Sequence, residues 1–359
     1  MIHDMLINVF DVRAFYLNFR IIKSFQEILN STSVNNIYVI YGQKEPYQNK
    51  YETFFIERNI SSYIFIDNIF LLYEFVLKHK KFVYLLHGLP YPPMFVFWFA
   101  RVKTSWVCWG HGASINKKNI KSILFTPIKT ILYRYFTSVS VLMTGDKTSL
   151  EKDYGLKNIT LTPYPQVGNF QELYKQLLEN TVSESKKKIV ILGPNAHNIC
   201  NYYNLIDLLS NYKDKIIIRC MLQYPKLPSS EIKELADKGH EIFDKDFIID
   251  TTFLKFEDYI NYINNCDIYI CGKDTQSGLG AIYTSLKLGK KIYLTGKNLD
   301  WIKSSGYIVF NIEDIKEDPI ESVLHPLTLS EKLYNYNLQI NINNRNKQIW
   351  IDYIKKLTR

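Results

Sequence analysis

The sequence predicts an α/β protein with two Rossmann-like domains, each a parallel sheet covered by helices. Apolar and β-branched runs alternate with segments of helical periodicity on both sides of residues 183–188, where two serines and three lysines interrupt the pattern. The length of 359 residues also exceeds one ordinary domain core. We place an N-terminal domain at 1–168, a linker at 169–187, a C-terminal domain at 188–328 and a helical tail at 329–359.

The N-terminal domain alternates strands and helices. We predict strands at 5–10, 36–41, 63–66, 81–86, 104–109, 139–144 and 159–162, and helices at 15–29, 70–78 and 170–178. A basic helix candidate at 120–135 has apolar residues every three or four positions, and Pro127 should kink it. Its apolar face is predicted either to pack on the core or to contact a membrane.

The C-terminal domain continues the same alternation. We predict strands at 189–192, 215–221, 241–243, 267–271, 292–294 and 307–310, and helices at 201–209, 229–238, 256–264, 281–288 and 350–357. Ligands of parallel sheets bind at the carboxyl ends of the strands. Residues that directly follow the predicted strands are therefore the candidate site residues.

The most informative stretch is a strand, tight loop, helix and strand over residues 262–295. Its loop is Thr275-Gln276-Ser277-Gly278-Leu279-Gly280. The glycines allow a ligand to approach the backbone, and the free N–H groups of the first helical turn suit a diphosphate. An ordinary loop-to-helix turn is the alternative interpretation.

Three side chains in the N-terminal domain are candidates for acid–base chemistry. His87 and His111 each follow a predicted strand and adjoin glycine, and Asp11 follows the first strand. A histidine can act as a base near neutral pH. A structural hydrogen-bonding role is the alternative for each histidine.

The charge is unevenly distributed along the chain. Residues 75–145 hold ten Lys or Arg and no Asp or Glu. The segment therefore has a charge of +10 and the rest of the chain has −1, which together give the net charge of +9. Such a block predicts an anionic partner. No nucleic-acid module is recognisable, and interleaved aromatic residues favour an anionic membrane surface over nucleic acid. A solvated basic face is the alternative.

The cysteines and the apolar runs bear on location. Five cysteines without C-x-x-C spacing predict buried free thiols in a reducing compartment. No signal peptide is recognisable, and the apolar run 82–100 is interrupted by His87-Gly88 and by three prolines, so it should not span a bilayer as one helix. We expect a cytoplasmic protein that is peripheral on the inner membrane.

Several short stretches lie in a fixed order along nearly the whole chain: His87-Gly88, Trp106–Gly110, Ile191–Gly193 with Asn195, Tyr224-Pro225, Cys266-Asp267, Gln276, Gly278, Gly280, Leu288–Lys290 and Trp301. In this order and spacing they resemble glycosyltransferase family 56, the TDP-N-acetylfucosamine:lipid II N-acetylfucosaminyltransferases. The resemblance implies a GT-B fold, in which two parallel sheets face each other across a cleft.

The resemblance also implies where a sugar nucleotide would bind. Gly193, Asn195 and Tyr224 would lie near the base and ribose, and the loop Thr275, Gln276, Ser277, Gly278 and Gly280 would surround the diphosphate. Helix N–H groups would then stabilise the leaving group. With helix N–H groups in that role, we expect no metal and no cofactor other than the donor substrate.

The chain also departs from the family pattern. The family's W-G-x-D is Trp109-Gly110-His111-Gly112 here, its G-N-S-G-D turn is residues 193–197, and an expected arginine is Thr275. The class therefore carries over, whereas the sugar does not. We predict a glycosyltransferase that moves a sugar, with Fuc4NAc as one candidate, to a lipid-linked or cell-surface glycan acceptor.

Two alternatives remain open. One is a GT-B transferase that uses a CMP-activated sugar acid, because His325-Pro326 is similar to the His-Pro motif of bacterial sialyltransferases. The other is a non-catalytic relative that binds glycan or lipid, which the missing family carboxylate favours.

Overall fold

The structure, a computed structural model, describes residues 5–110, 112, 113, 115, 120–166, 172, 174, 175, 178, 187–193, 199–222, 227–252, 254–274 and 278–359. The chain divides into two compact units. The first unit comprises Met1–Val167 and Asn343–Arg359, and the second comprises Gly168–Ile342. The predicted tail 329–359 therefore contributes to both units.

The first unit contains a parallel seven-stranded sheet in the order β3-β2-β1-β4-β5-β6-β7. Its strands are β1 Met5–Asp11, β2 Asn35–Tyr41, β3 Tyr63–Ile66, β4 Val83–His87, β5 Thr104–Cys108, β6 Ser138–Val141 and β7 Ile159–Leu161. Its helices are α1 Phe15–Leu29, α2 Gln48–Glu57, α3 Ile69–Lys78, α4 Tyr91–Ala100, α5 Ile120–Leu124, α6 Thr126–Tyr135 and α7 Thr144–Tyr154.

The second unit contains a parallel six-stranded sheet in the order β10-β9-β8-β11-β12-β13. Its strands are β8 Lys188–Leu192, β9 Ile216–Met221, β10 Phe247–Asp250, β11 Ile268–Cys271, β12 Lys291–Leu294 and β13 Phe310–Asn311. Its helices are α8 Ile199–Leu209, α9 Ser229–Phe243, α10 Phe256–Asn264, α11 Leu279–Lys287, α12 Gly296–Ser304, α13 Asp314–Glu317 and α14 Ile320–Leu324, and α15 Leu329–Thr358 follows them. The prediction of two parallel α/β domains is confirmed.

Hydrophobic residues cover both faces of the first sheet. Residues of α3, α4, α6 and α7 form a core on one face, with fully buried Leu72, Phe97 and Leu132. On the other face, residues of α1 and α2 pack with the last turns of α15. Burial on both faces agrees with the central strands β4 and β5, in which every residue is buried.

One predicted strand is wrong. Residues 241–243 do not form a strand, because α9 continues to Phe243 and the strand begins only at Phe247. The buried residues of α9 are Leu235, Gly239 and Phe243, which recur every four positions and therefore share one helical face. Three buried positions, one of them a glycine, are too few to show the helical period in the sequence, so the end of this helix was mistaken for a strand.

The last turns of α15 complete the core of the first unit. Trp350 is fully buried among residues of α1 and β1, and its ring meets Phe25 edge-on with centroids 4.9 Å apart. Its indole Nε1 donates a hydrogen bond to the carbonyl oxygen of Pro163 at 3.1 Å. Residues 343–359 are thus part of this unit's hydrophobic core.

Two further expectations concern thiols and membrane helices. Cys108, Cys220, Cys266 and Cys271 are buried and carry no disulfide, which confirms the prediction for these four. Among the described ranges, no helix combines the length and the apolar character needed to cross a membrane.

Candidate functional site

In the second sheet, the order in which successive strands are added reverses between β8 and β11. These strands are neighbours in the sheet, although β9 and β10 separate them in the chain. Gly193 directly follows β8, and its N–H donates to the carbonyl oxygen of Ile270 in β11 at 3.0 Å. Parallel sheets bind ligands in the crevice at the carboxyl ends of such strands. The residues predicted to bind the sugar-nucleotide donor follow these two strands in the sequence, apart from Tyr224, which follows β9.

Gly278 prepares the entry into α11. Its φ of +66° is in the left-handed region, and α11 begins at the next residue, Leu279. Glycine reaches this conformation at no steric cost. The first amides of a helix have no acceptor within the helix, so this turn can bind an anion. Gly280 lies in that turn, whereas Asn195, Tyr224, Thr275, Gln276 and Ser277 lie outside the described residues.

The segment 272–274, which leads to this loop, is held from two sides. Asn201 of α8 donates its side-chain amide to the carbonyl oxygen of Gly272 at 2.7 Å. At the start of α12, the amide of Lys297 donates to the Asp274 carbonyl oxygen at 3.0 Å. A Cβ on Gly296 would lie 2.6 Å from the backbone of Asp274, so only glycine allows this approach. Two helices thus hold residues 272–274, which lead into the loop predicted to bind the diphosphate.

In the first sheet, the strand order reverses in the same way between β1 and β4. Asp11 ends β1 and His87 ends β4, and Phe10 is the register partner of His87. The two predicted acid–base candidates therefore lie at one switch point. This proximity follows from the strand order, which the sequence alone does not reveal.

Asp11 forms a two-pronged ion pair with Arg13. Its Oδ1 accepts hydrogen bonds from the Arg13 amide and Nε, each at 2.9 Å, and its Oδ2 accepts from Nη2 at 2.7 Å. The Arg13 side chain is 69% exposed and that of Asp11 is 11% exposed. The carboxylate thus has a fixed orientation and is largely buried. Arg13 was not singled out in the sequence, although the pattern Asp-x-Arg after a strand was available.

His87 is fully buried at the centre of a hydrogen-bonded chain. Its ring stacks on Phe10 with centroids 4.3 Å apart. Nε2 lies 3.0 Å from Asn8 Oδ1, and Nδ1 lies 2.7 Å from the Tyr164 hydroxyl. Burial lowers the pKa of His87 to about 3, so the imidazole is neutral. With Nε2–H donating to Asn8, Nδ1 must accept from Tyr164.

The same chain of hydrogen bonds holds Trp109. Trp109 Nε1 donates to the Tyr164 hydroxyl at 3.1 Å, and a Cβ on Gly88 would lie 2.2 Å from the Trp109 ring. Gly88, with φ +57°, therefore makes room for this ring. Through the Tyr164 hydroxyl, His87 thus supports Trp109, the residue before Gly110. Both nitrogens of the neutral His87 have protein partners, which does not favour this side chain as the base; His111 lies outside the described residues.

The burial of His87 predicts a pH dependence of stability. The pKa of His87 is near 3 in the folded protein and near 6.5 in the unfolded chain. Above pH 6.5 the histidine is neutral in both states and does not affect stability. Between pH 6.5 and pH 3 only the unfolded chain binds the proton, so the free energy of unfolding decreases as the pH falls. The loss should approach about 1.4 kcal/mol per pH unit. Urea unfolding of the wild type and His87→Gln between these pH values measures it. The difference between the two proteins should shrink with falling pH, and a constant difference would contradict a neutral buried His87.

Asp146 is a residue that sequence reasoning did not select. It is 2% exposed and lies in the first turn of α7, directly beyond the carboxyl end of β6. A carboxylate there interacts favourably with the helix dipole. The signal was present, since Asp146 follows a predicted strand, but a lone acid after a strand is common.

His325-Pro326 does not lie with these loops. The His325 carbonyl oxygen accepts a hydrogen bond from Lys291 Nζ at 3.2 Å, and Lys291 is the first residue of β12. The dipeptide is therefore near the amino end of that strand, whereas Gly193 and Gly278 follow carboxyl ends. This position does not favour a sialyltransferase-like role for it.

Two α/β units, each with a parallel sheet whose strand order reverses once, are characteristic of the GT-B fold. The chain resembles a glycosyltransferase from Rickettsia africae (13% identity, TM-score 0.69, 99% of this chain and 98% of that chain) and Anabaena HepE in complex with UDP and glucose (11%, 0.71, 99% and 100%). No curated protein matches it. The chain belongs to glycosyl transferase group 56, described as 4-alpha-L-fucosyltransferase, whose profile matches residues 4–342. It is thus a glycosyltransferase, and the resemblance inferred from the sequence is confirmed.

Proposed function

We propose that this glycosyltransferase transfers a sugar from a nucleoside-diphosphate donor, bound by the second unit, to a lipid-linked or cell-surface glycan acceptor, bound by the first. The observation that carries the proposal is the left-handed Gly278 at the entry to α11, beside the β8–β11 switch point. Gly193, Asn195 and Tyr224 would contact base and ribose. Residues 275–280 would contact the diphosphate.

In the proposed reaction, an acceptor oxygen forms a bond to the anomeric carbon while the bond to the diphosphate breaks. The acceptor proton passes to a base, and the leaving diphosphate keeps the electron pair of the broken bond. Backbone N–H groups of the α11 turn would stabilise the charge on that leaving group. We assign the base to Asp11, since its carboxylate is oriented at the carboxyl end of β1, and His111 is the second candidate.

Two structural relatives support a nucleoside-diphosphate donor. HepE was solved with UDP and glucose, and an Escherichia coli structure described as trehalose-6-phosphate was solved with UDP-2-fluoro glucose bound (8% identity, TM-score 0.67, 99% of both chains). The family description names fucosyl transfer. A 4-amino-4,6-dideoxyhexose such as Fuc4NAc on TDP is the donor we favour. A lipid-linked acceptor would place the protein at the inner face of the membrane.

A thermal-shift panel of TDP, UDP, CMP and their sugar conjugates tests the proposal. A ligand at about 100 times its Kd stabilises a protein by about 2.7 kcal/mol, so a bound nucleoside diphosphate should raise the unfolding temperature by several degrees. Stabilisation by CMP alone would favour the sialyltransferase-like alternative. No stabilisation by any nucleotide would favour a non-catalytic relative.

A further inference from the structure

The helices α5 and α6 expose apolar side chains to solvent. Six of them are between 42% and 74% exposed: Ile120, Ile123, Leu124, Phe125, Ile128 and Ile131. We refer to these six as the α5–α6 apolar surface. The sequence left two interpretations of this helical face, core packing and membrane contact. Exposure of these side chains rules out core packing for them.

The way α6 is anchored explains this exposure. Leu132 and Tyr133 are buried, and the Tyr135 hydroxyl donates to the Val102 carbonyl oxygen at 2.8 Å. The C-terminal half of α6 therefore holds the helix to the sheet. Pro127 lies in the first turn of α6, where a missing N–H costs least, and the predicted kink is a break between α5 and α6 at Phe125. The apolar residues of α5 and of the first half of α6 are therefore left on the surface.

Basic residues lie on this surface and elsewhere on the first unit. Lys129 lies on α6 itself, and its Nζ is 5.6 Å from the centroid of the Tyr91 ring. Arg101 and Arg134 are exposed on the same unit. Glu74 of α3, the acid nearest in sequence before residue 75, is paired with Lys78 at 2.6 Å. An exposed apolar patch of this kind marks an interaction site.

We propose that the α5–α6 apolar surface inserts into the headgroup region of an anionic lipid bilayer, with neighbouring lysines and arginines against lipid phosphates. Isoleucine, leucine and phenylalanine on one side with basic residues around them are typical of helices that lie in a membrane interface. A protein partner is less well suited, because lysine is depleted from protein–protein interface cores. Membrane binding by this surface does not depend on the proposed function. Only its purpose, access to a lipid-linked acceptor, rests on that function.

Co-sedimentation of the full chain with lipid vesicles tests this inference without any sugar nucleotide. The wild type should bind vesicles of phosphatidylglycerol and phosphatidylcholine more tightly than phosphatidylcholine alone, and salt should weaken the binding. The triple variant Ile120→Gln, Leu124→Gln and Ile131→Gln should lose about tenfold or more in partitioning. Ile56→Gln is the matched control, because Ile56 of α2 is 74% exposed, as is Ile120.

Three results would overturn the inference. The triple variant could bind vesicles as the wild type does, the Ile56→Gln variant could lose as much binding as the triple variant, or the wild type could show no preference for anionic lipid. Gel filtration without lipid adds a further check, since a dimer that the triple variant abolishes would assign the surface to a second copy of the chain. Nucleotide-induced thermal stabilisation, measured on the same samples, reports the proposed function separately.

Discussion

Gly278→Asp is expected to abolish stabilisation by nucleoside diphosphates and to leave the unliganded protein almost as stable as the wild type. Aspartate tolerates the left-handed conformation of residue 278 better than most residues and is favoured before a helix. A carboxylate about 4 Å from a phosphate costs about 4 kcal/mol at an effective dielectric constant near 20, or about a thousandfold in Kd. Thermal shift and calorimetric titration with TDP and UDP measure both effects.

Gly278→Asn is the control for this substitution. Asparagine has nearly the same shape and the same tolerance of positive φ as aspartate, but it carries no charge. It should therefore weaken diphosphate binding far less than aspartate does. Equal losses in the two variants, or undiminished binding by Gly278→Asp, would show that no diphosphate lies beside α11.

Asp11→Asn should reduce kcat by about a hundredfold to ten-thousandfold if Asp11 is the base, since general-base catalysis contributes effects of this size. Asparagine keeps the shape of the side chain and can still accept the hydrogen bond from the Arg13 amide. The fold should therefore persist. Transfer rates with the nucleotide sugar that the thermal-shift panel identifies, together with far-ultraviolet circular dichroism, provide the measurement.

Arg13→Gln separates catalysis from support of the local structure. The ion pair has a largely exposed partner, so its loss should cost about 1 kcal/mol of stability or less. A transferase that uses Asp11 as its base should retain most of its kcat in this variant. If both substitutions reduce kcat equally, the pair acts as a structural unit, and His111 becomes the first candidate for the base.

Elements with a clear apolar period were predictable from the sequence. The helix at 15–29 and the strand at 63–66 have the predicted bounds, and the buried residues of the helix recur at helical spacing. Helix α2 was missed, since only Tyr51 and Phe55 are buried among its ten residues. The strand predicted at 139–144 ends at Val141, and α7 begins where the prediction still had a strand.

The helical tail predicted at 329–359 was located in detail only in its last part. Apolar periodicity placed a helix at 350–357, whereas α15 begins at Leu329. In its first half, Asn335 exchanges hydrogen bonds with the backbone of Ile308, and Gln339 accepts one from the Tyr307 hydroxyl. Both side chains are buried. Analysis of apolar periodicity cannot recognise a helix that is held by buried amides.

The site was predictable in its positions but not in its environments. Glycines and polar residues after strands are visible in the sequence, and the strand order brings Asp11 and His87 to one switch point. The burial of His87 depends on Phe10, Phe25 and Tyr164, which come from separate parts of the chain. A histidine's surroundings determine whether it acts as a base, and those surroundings exist only after folding.

The chain path of α15 has a consequence for synthesis on the ribosome. Trp350 fills the core of the first unit, yet the whole second unit lies between Phe25 and Trp350 in sequence. A nascent chain that has emerged through residue 342 presents an unfilled apolar face beside α1. The unit made first therefore finishes folding last, and chaperones have the interval of translation in which to engage it.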